Sequence, residues 1–172
     1  MTRYRIVPSL SQVWIEGRST VHPIHHRTDG LEGWIELQVT RAGRADLRTT
    51  PSAHVEFAVA RLTSSNPLEA RELKRRINAR HFPTIEGELT AMEKTGENGR
   101  YLVSGDVTFL GVTRPHADEM TVEQLDDGRL RLEGRSSFDV RDFGMEPPRI
   151  LMLRVEPLVE VRVEIVAEPE TH

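Results

Sequence analysis

An alternation of apolar and polar residues over residues 100–115 constrains the fold of this chain more than any other feature. The large apolar residues of this segment fall on one face of an extended strand: Tyr101, Val103, Val107 and Phe109. Such alternation is expected where one side of a sheet is buried. Gly105 lies on the same face, where a large side chain would be expected. A glycine there either bends the sheet or leaves space beside it, and the second option implies a cavity.

The same alternation recurs along the chain, and turn-forming pairs such as Asp29-Gly30 and Asp127-Gly128 separate the segments. The predicted strands cover residues 13–21, 33–39, 54–62, 84–92, 100–109, 117–125, 129–140 and 158–167. About eight strands of this length with short connections predict an all-β fold, either an antiparallel up-and-down barrel or a sandwich.

Residues 65–81 break this pattern and predict one amphipathic helix. Ser65 or Asn66 can cap the helix, and Pro67 suits its first turn. The apolar side is supplied by Leu68, Leu73 and Ile77. Because strands flank the segment, we expect the helix to lie across the barrel rather than to form a second domain.

Composition excludes several classes of function. The chain has 172 residues, which suits a single domain, and its net charge of -4 argues against general nucleic-acid binding. It contains no cysteine, which excludes disulfides, thiolate metal sites and cysteine nucleophiles. The N-terminus lacks the apolar segment of a secretion signal, and no run reaches the ~20 apolar residues of a spanning helix. We therefore expect a soluble cytoplasmic protein without stable membrane insertion.

Four glycines lie in phase with large apolar neighbours on four different strands: Gly17, Gly87, Gly105 and Gly134. They open space inside an eight-stranded barrel, or they are corners that let the sheet curve. The inner faces are otherwise aliphatic and aromatic, which suits the binding of an apolar tail. The predicted cavity residues are Val13, Ile15, Gly17, Ile35, Leu37, Phe57, Val59, Ile85, Gly87, Leu89, Tyr101, Val103, Gly105, Val107, Phe109, Leu132, Gly134 and Phe138.

Three segments carry a resemblance to a known family. The first contains Gly105, Thr108, Gly111, Val112, Thr113 and Pro115, the second is Asp142-Phe143-Gly144, and the third is an opening strand with Ser11, Val13 and Ile15. In this order and spacing they resemble the YceI-like family of lipocalin-type barrels over nearly the whole chain.

The resemblance implies one domain over residues 1–172, folded as an antiparallel eight-stranded barrel that holds a long isoprenoid chain. The chain departs from the family at two places. Val140 stands where the family has an arginine ahead of Asp-Phe-Gly, and Arg141 is displaced by one position. Residues 77–81 lack the family's aspartate and double phenylalanine, so the head-group contacts of relatives are not carried over.

The predicted helix carries an excess of positive charge that could serve a ligand's head group. Arg71, Arg75 and Arg76 are the candidates, because positive charge beside a barrel mouth can hold a diphosphate or meet an anionic membrane surface. The alternative is a solvated helix face on which Glu72 pairs with Arg76.

A cluster of histidines, His22, His25 and His26, provides a rival interpretation. Imidazoles at this spacing could share a zinc, nickel or copper ion in a metal carrier or a metal-dependent enzyme. No HExxH or CxxC motif accompanies them, and a polar strand end or turn explains the segment equally.

Trp14 and Trp34 lie out of phase with the inner residues of their strands, which predicts that both face outward. On neighbouring strands they would form one exposed aromatic patch suited to a homodimer or another protein partner. The alternative is that the N-terminal segment around residues 4–8 shields them.

The sequence therefore predicts a carrier that holds an isoprenoid or another long-chain lipid, without enzymatic activity or a cofactor. No GxSxG motif supports hydrolysis. The rival functions are the metal site on the histidines and an interaction module with a filled barrel, which would act through its tryptophan surface.

Overall fold

A computed structural model describes residues 1–19, 23–64, 66–77, 79–96, 99–146, 149–150 and 153–171, with the side chains of residues 76, 77, 149, 150 and 153 outside the description. The strands are β1 (Thr2–Ile6), β2 (Gln12–Arg18), β3 (Pro23–Thr28), β4 (Glu32–Val39), β5 (Ala45–Asp46), β6 (Ser52–Ala58), β7 (Thr84–Lys94), β8 (Arg100–Phe109), β9 (Val112–Gln124), β10 (Leu130–Asp139), β11 (Arg149–Ile150), β12 (Leu153–Arg154) and β13 (Leu158–Pro169). The helix α1 spans Pro67–Ile77, and short 3-10 helices span Pro8–Leu10, Val59–Arg61 and Val140–Phe143.

The sheet closes on itself as an antiparallel barrel of eight strands. Its order is β1, β4, β6, β7, β8, β9, β10 and β13, and β13 pairs back onto β1 to complete the ring. The closing pairs join Tyr4 to Pro169 and Ile6 to Ala167. The eight-stranded antiparallel barrel expected from the sequence is thus confirmed.

The ring closes through β1, a strand that the sequence prediction omitted. Strand β13 pairs with β2 over residues 160–164 and with β1 over residues 167–169, so β1 and β2 follow each other along the same neighbour. The break between them is the 3-10 helix Pro8–Leu10. Buried Ser11 stabilises this break, because its hydroxyl donates to Val7 O at 2.8 Å and accepts from Val166 N at 3.0 Å.

A tight turn joins β8 to β9 within the segment that resembles the family motif. Leu110 and Gly111 both have positive φ angles, 55° and 73°. This conformation is typical of the two-residue hairpin turn whose twist matches that of the strands, and it favours glycine at the second position. Thr108 and Thr113 face each other beyond the turn with their hydroxyl oxygens 2.8 Å apart.

One end of the barrel is closed by the segment that follows β4. Strand β5 folds back onto β4, and Ala45 within it is buried. The Tyr101 hydroxyl accepts a hydrogen bond from Ala45 N at 3.0 Å, which ties this segment to β8. Tyr101 is 1% exposed and belongs to the main core cluster, together with Leu37 and Leu130.

Helix α1 lies against a second core cluster, formed by Val59, Leu62 and Met145. Asn66 caps the helix, since its side-chain oxygen accepts from Leu68 N at 3.0 Å and Glu69 N at 3.4 Å. Leu73 packs against the cluster as predicted, whereas Leu68 is 52% exposed. Leu68 was therefore wrongly assigned to the apolar side.

Candidate functional site

The inside of the barrel holds a cavity with a volume of about 390 Å³. Its wall is formed mainly by aliphatic and aromatic side chains from the inner faces of the strands, with Leu73 of α1 and Leu62 added at one end. Val13, Val161 and Val163 are typical of this wall. A cavity with such a lining gains its affinity from the burial of apolar surface.

The structure brings together nearly all of the residues that the sequence placed in the cavity. Those that line it are Val13, Ile15, Gly17, Ile35, Leu37, Phe57, Ile85, Gly87, Leu89, Val103, Gly105, Val107, Phe109, Leu132, Gly134 and Phe138. Their role in binding a ligand stays a prediction.

Val59 and Tyr101 do not line the cavity, and each has a physical reason. The strand β6 ends at Ala58, so the alternation does not continue, and Val59 enters a 3-10 helix and packs beside Leu62. Tyr101 is in phase with the inner face of β8 but lies under the segment that closes the barrel end. The assignment of these two residues to the cavity was wrong.

The glycines on the inner faces do not open the cavity in the way that the alternation suggested. A side chain on Gly105 would place its Cβ 2.5 Å from the backbone oxygen of Glu88, beside a bulge between Leu89 and Ala91. A Cβ atom added at Gly87 would lie 3.1 Å from Val55 Cγ2, and one added at Gly134 would lie 2.8 Å from Met120 Cγ.

Only Gly17, among these four, leaves ordinary room for a Cβ atom. The nearest atoms would be Val159 Cγ1 at 3.8 Å and Ile24 Cβ at 4.0 Å. The cavity is therefore correctly expected, but Gly105 is a glycine of close backbone approach rather than one that leaves space.

The wall separates along a seam between β9 and β10. Their pairing covers residues 120–124 of β9 and residues 130–134 of β10, from the pair Met120–Gly134 to the pair Gln124–Leu130. Beyond that point β9 stays paired with β8, and β10 stays paired with β13. Asp118 and Ser136, which lie next along the two strands, line both the cavity and a groove on the outer surface.

Aromatic rings cross this seam. His116 of β9 stacks on Phe138 of β10 with ring centroids 4.2 Å apart, and its ring nitrogen contacts Asp118. Phe143 packs edge-on against Phe109 at 5.7 Å and also lines the cavity. His116 and Asp118 were not among the predicted cavity residues, although both lie in phase with Met120 and Val122, and that alternation could have identified them.

The Asp-Phe-Gly segment forms the 3-10 helix at this end of the barrel. Asp139 caps it by accepting from Arg141 N at 2.9 Å, and its carboxylate also pairs with the Arg141 guanidinium at 2.7 Å. This pairing lowers the pKa of Asp139, first through the side-chain hydrogen bond. Val140 lines the cavity at the position where the family has an arginine, whereas Arg141 is held outside it.

The described residues of the cavity wall include no lysine or arginine. Asp118 is in phase with the inward-facing Met120 and Val122, whereas Glu86, Glu88 and Asp106 alternate with inward-facing residues of β7 and β8, so their carboxylates lie on the outer face. Arg71 and Arg75 are exposed on α1 and do not line the cavity, and Arg75 donates to Glu72 at 3.3 Å. The side chain of Arg76 lies outside the described set. The structure therefore does not bring Arg71 and Arg75 to the cavity, because the helix turns them toward solvent.

The histidine cluster separates onto two faces of β3. His26 is buried and lines the cavity, whereas His25 is exposed, with its Nδ1 3.8 Å from Glu16 Oε1. His22 lies outside the described residues. Neighbouring residues of a strand point to opposite faces, so His25 and His26 cannot share one ion. No group suited to a metal ion occurs among the residues that the structure describes.

Burial changes the acid–base behaviour of His26. Its pKa falls from 6.5 to about 4, first because burial disfavours the charged ring and then because of the positive charge of Lys74 and of His25. His26 is therefore uncharged at neutral pH.

The two tryptophans face outward as expected, but they do not form one patch. Trp14 lies on β2 and Trp34 on β4, and both β13 and β1 lie between these strands in the closed sheet. Each ring is covered by a guanidinium, Arg162 at 3.9 Å from Trp14 and Arg3 at 4.3 Å from Trp34. The predicted shared aromatic surface was therefore wrong, because the strands are not neighbours.

A closed eight-stranded antiparallel barrel with an apolar interior defines a lipocalin-type binding protein. The family model described as "YceI-like domain" matches residues 4–167, so the chain belongs to the YceI-like family. The resemblance inferred from the motifs is confirmed. No curated protein sequence matches this chain.

Several solved structures share the fold. Burkholderia cenocepacia BcnA is similar with a TM-score of 0.78 and 16% identity, covering 94% of this chain and 98% of its own. A polyisoprenoid binding domain from Saccharophagus degradans, implicated in plant cell wall breakdown, has a TM-score of 0.78 and 14% identity over 99% of this chain and 100% of its own. The Campylobacter jejuni YceI protein has a TM-score of 0.65 and 15% identity, with coverage of 86% and 85%.

Within the described residues, no helix has the length and apolar character needed to cross a membrane.

Proposed function

We propose that this protein is a carrier that holds the apolar chain of an isoprenoid or a similar long-chain lipid inside its barrel and performs no chemistry on it. In this proposal residues 1–172 act as one domain, since the family match covers residues 4–167. The observation that carries the proposal is the apolar cavity of about 390 Å³ inside the barrel. This volume falls within the range of about 300–1,000 Å³ that is usual for ligand pockets.

The energetics of such a cavity favour a chain over a compact polar molecule. Each methylene that leaves water contributes about 0.8 kcal/mol, so a long tail binds tightly without specific polar contacts. The solved relative from Saccharophagus degradans, described as a polyisoprenoid binding domain, supports an isoprenoid as the class of chain.

The test is mass spectrometry of an organic extract of the purified protein, followed by uptake of geranylgeraniol into the delipidated protein. We expect a prenyl or other long-chain lipid at close to one molecule per chain. A mock purification from cells without the protein controls for lipids carried over from the host. Clean extracts from several hosts, combined with no uptake of geranylgeraniol, would overturn the carrier function.

A further inference from the structure

His26 is the buried polar group that the apolar cavity does not account for. It is 6% exposed, lies on the inner face of β3 between Ile24 and Thr28, and is part of the cavity wall. Its Nδ1 is buried, and no described residue offers this atom a hydrogen bond. Burying a polar atom without a partner is costly, so its presence needs an explanation.

His26 stands at one end of a row of paired residues that crosses the cavity wall. It is paired in register with Ile15, which is paired with Val161, and Val161 is paired with Ser136. All four residues line the cavity. Two polar side chains, on β3 and β10, thus lie at the ends of one row across the wall with aliphatic residues between them.

The charge of the surrounding wall limits what His26 can bind. The described cavity lining contains no lysine or arginine, and Asp118 contributes an inward-facing carboxylate. A diphosphate buried here would find no cation among the described lining residues, which is costly. The positive charge of Lys74 lowers the pKa of His26, but Lys74 is not part of the described lining.

An uncharged imidazole has one nitrogen that donates a hydrogen bond and one that accepts. It therefore suits a carbonyl or a hydroxyl group, which needs no counter-ion. Resting on the carrier function proposed above, we propose that His26 recognises the ligand's head group, and that this head group is an uncharged oxygen-bearing group, a hydroxyl or a carbonyl, at the end of the apolar chain.

The experiment compares three probes that share one branched carbon skeleton: geranylgeraniol with a hydroxyl, geranylgeranyl diphosphate with an anion, and the saturated hydrocarbon phytane with neither. Dissociation constants are measured by competition with a fluorescent chain probe for the wild-type protein and for His26→Leu, His26→Gln and His25→Leu. His25→Leu is the matched control, because His25 is the adjacent residue on the outer face of the same strand. Urea midpoints check that each variant is folded.

In the wild type we expect geranylgeraniol to bind roughly three- to tenfold more tightly than phytane, the effect of one neutral hydrogen bond. The diphosphate should bind more weakly than the alcohol. His26→Leu should abolish the preference for the alcohol while leaving phytane bound, and His26→Gln should retain part of the preference because glutamine keeps an uncharged donor and acceptor. His25→Leu should behave as the wild type does.

Two outcomes overturn the assignment of His26 while leaving the carrier function intact. One is a preference for the alcohol that persists in His26→Leu, and the other is a diphosphate that binds most tightly to the wild type. Equal binding of alcohol and phytane in the wild type also overturns it, and indicates that a buried water satisfies His26. If the wild type binds none of the three probes, the carrier function itself fails.

Discussion

The backbone oxygen of Glu88 lies so close to Gly105 that no side chain fits between them. This is a property of two neighbouring strands at a bulge, where the ladder of β7 shifts by one residue against β8. A glycine at such a point serves close backbone approach. Gly17 is the contrasting case, since a Cβ atom added there would make only ordinary van der Waals contacts with its neighbours.

We expect Gly105→Ala and Gly17→Ala to have opposite effects on stability. The first forces the backbone of Glu88 to move, with a loss of about 1–3 kcal/mol in the free energy of unfolding. The second restricts the unfolded chain without a clash and gains about 0.4–1 kcal/mol. Urea denaturation of the two variants and the wild type measures both changes. Equal losses in the two variants would contradict this account of Gly105.

Residue-level alternation predicted which side chains face inward but not what stands opposite them. It correctly placed Val103 and Val107 on the inner face, and the same rule, applied to β3, would have separated His25 from His26. The closeness of Glu88 to Gly105 depends on the bulge in a different strand. No local pattern around Gly105 carries that information.

Strand β5 and its flanking turns form a lid over one end of the barrel, and Tyr101 holds this segment in place. The hydroxyl of Tyr101 is the acceptor for the buried amide of Ala45. Ala45 is 2% exposed, so water cannot readily replace that acceptor. Tyr101, which the alternation assigned to the cavity, instead links β8 to β5 through this hydrogen bond.

Tyr101→Phe should therefore destabilise the protein by about 1–3 kcal/mol, because it leaves the Ala45 amide buried and unpaired. Local hydrogen exchange gives the more specific measurement. We expect the Ala45 amide to exchange faster in the variant, and to a greater extent than amides in β10. An unchanged protection factor at Ala45 would refute the role of Tyr101 as a tie.

The elements themselves were predictable to different degrees. The long strands β7, β8, β10 and β13 carry sustained alternation and were found with ends within about two residues, the accuracy usual for strand boundaries. Strands β1 and β3 are short, and β3 contains a proline and histidines that favour a turn. Their strand character depends on pairing with β13, β4 and β2, which are distant along the chain or separated by a turn.

At the scale of the whole molecule, the barrel combines a packed core and an open cavity within one wall. Ala45 belongs to the packed part and does not line the cavity, whereas Ala53 does line it. The family motifs predicted the closed sheet correctly. Whether its interior is filled depends on the summed volumes of side chains from every strand, and no segment of the sequence specifies that sum.

The same substitution at these two alanines distinguishes the cavity from the core. Ala45→Phe should cost about 1–3 kcal/mol or prevent folding, because the new ring has no space. Ala53→Phe should cost less, since its ring can enter the cavity, and should weaken binding of geranylgeraniol at least tenfold. Thermal or urea denaturation and the binding assay are run on the same preparations. If Ala53→Phe destabilises the protein as much as Ala45→Phe does and leaves binding unchanged, the ligand does not occupy the part of the cavity beside Ala53.

The outward position of both tryptophans has a spectroscopic consequence. Trp14 and Trp34 lie beneath guanidinium groups on the outer wall, and neither lines the cavity. Their emission will change when the strands separate on unfolding, but a molecule inside the barrel does not alter their surroundings. The intrinsic tryptophan fluorescence of this protein therefore reports on folding and not on whether a ligand occupies the cavity. A sensor for the bound state requires an indole on the inner face, for which Phe57 is a suitable position.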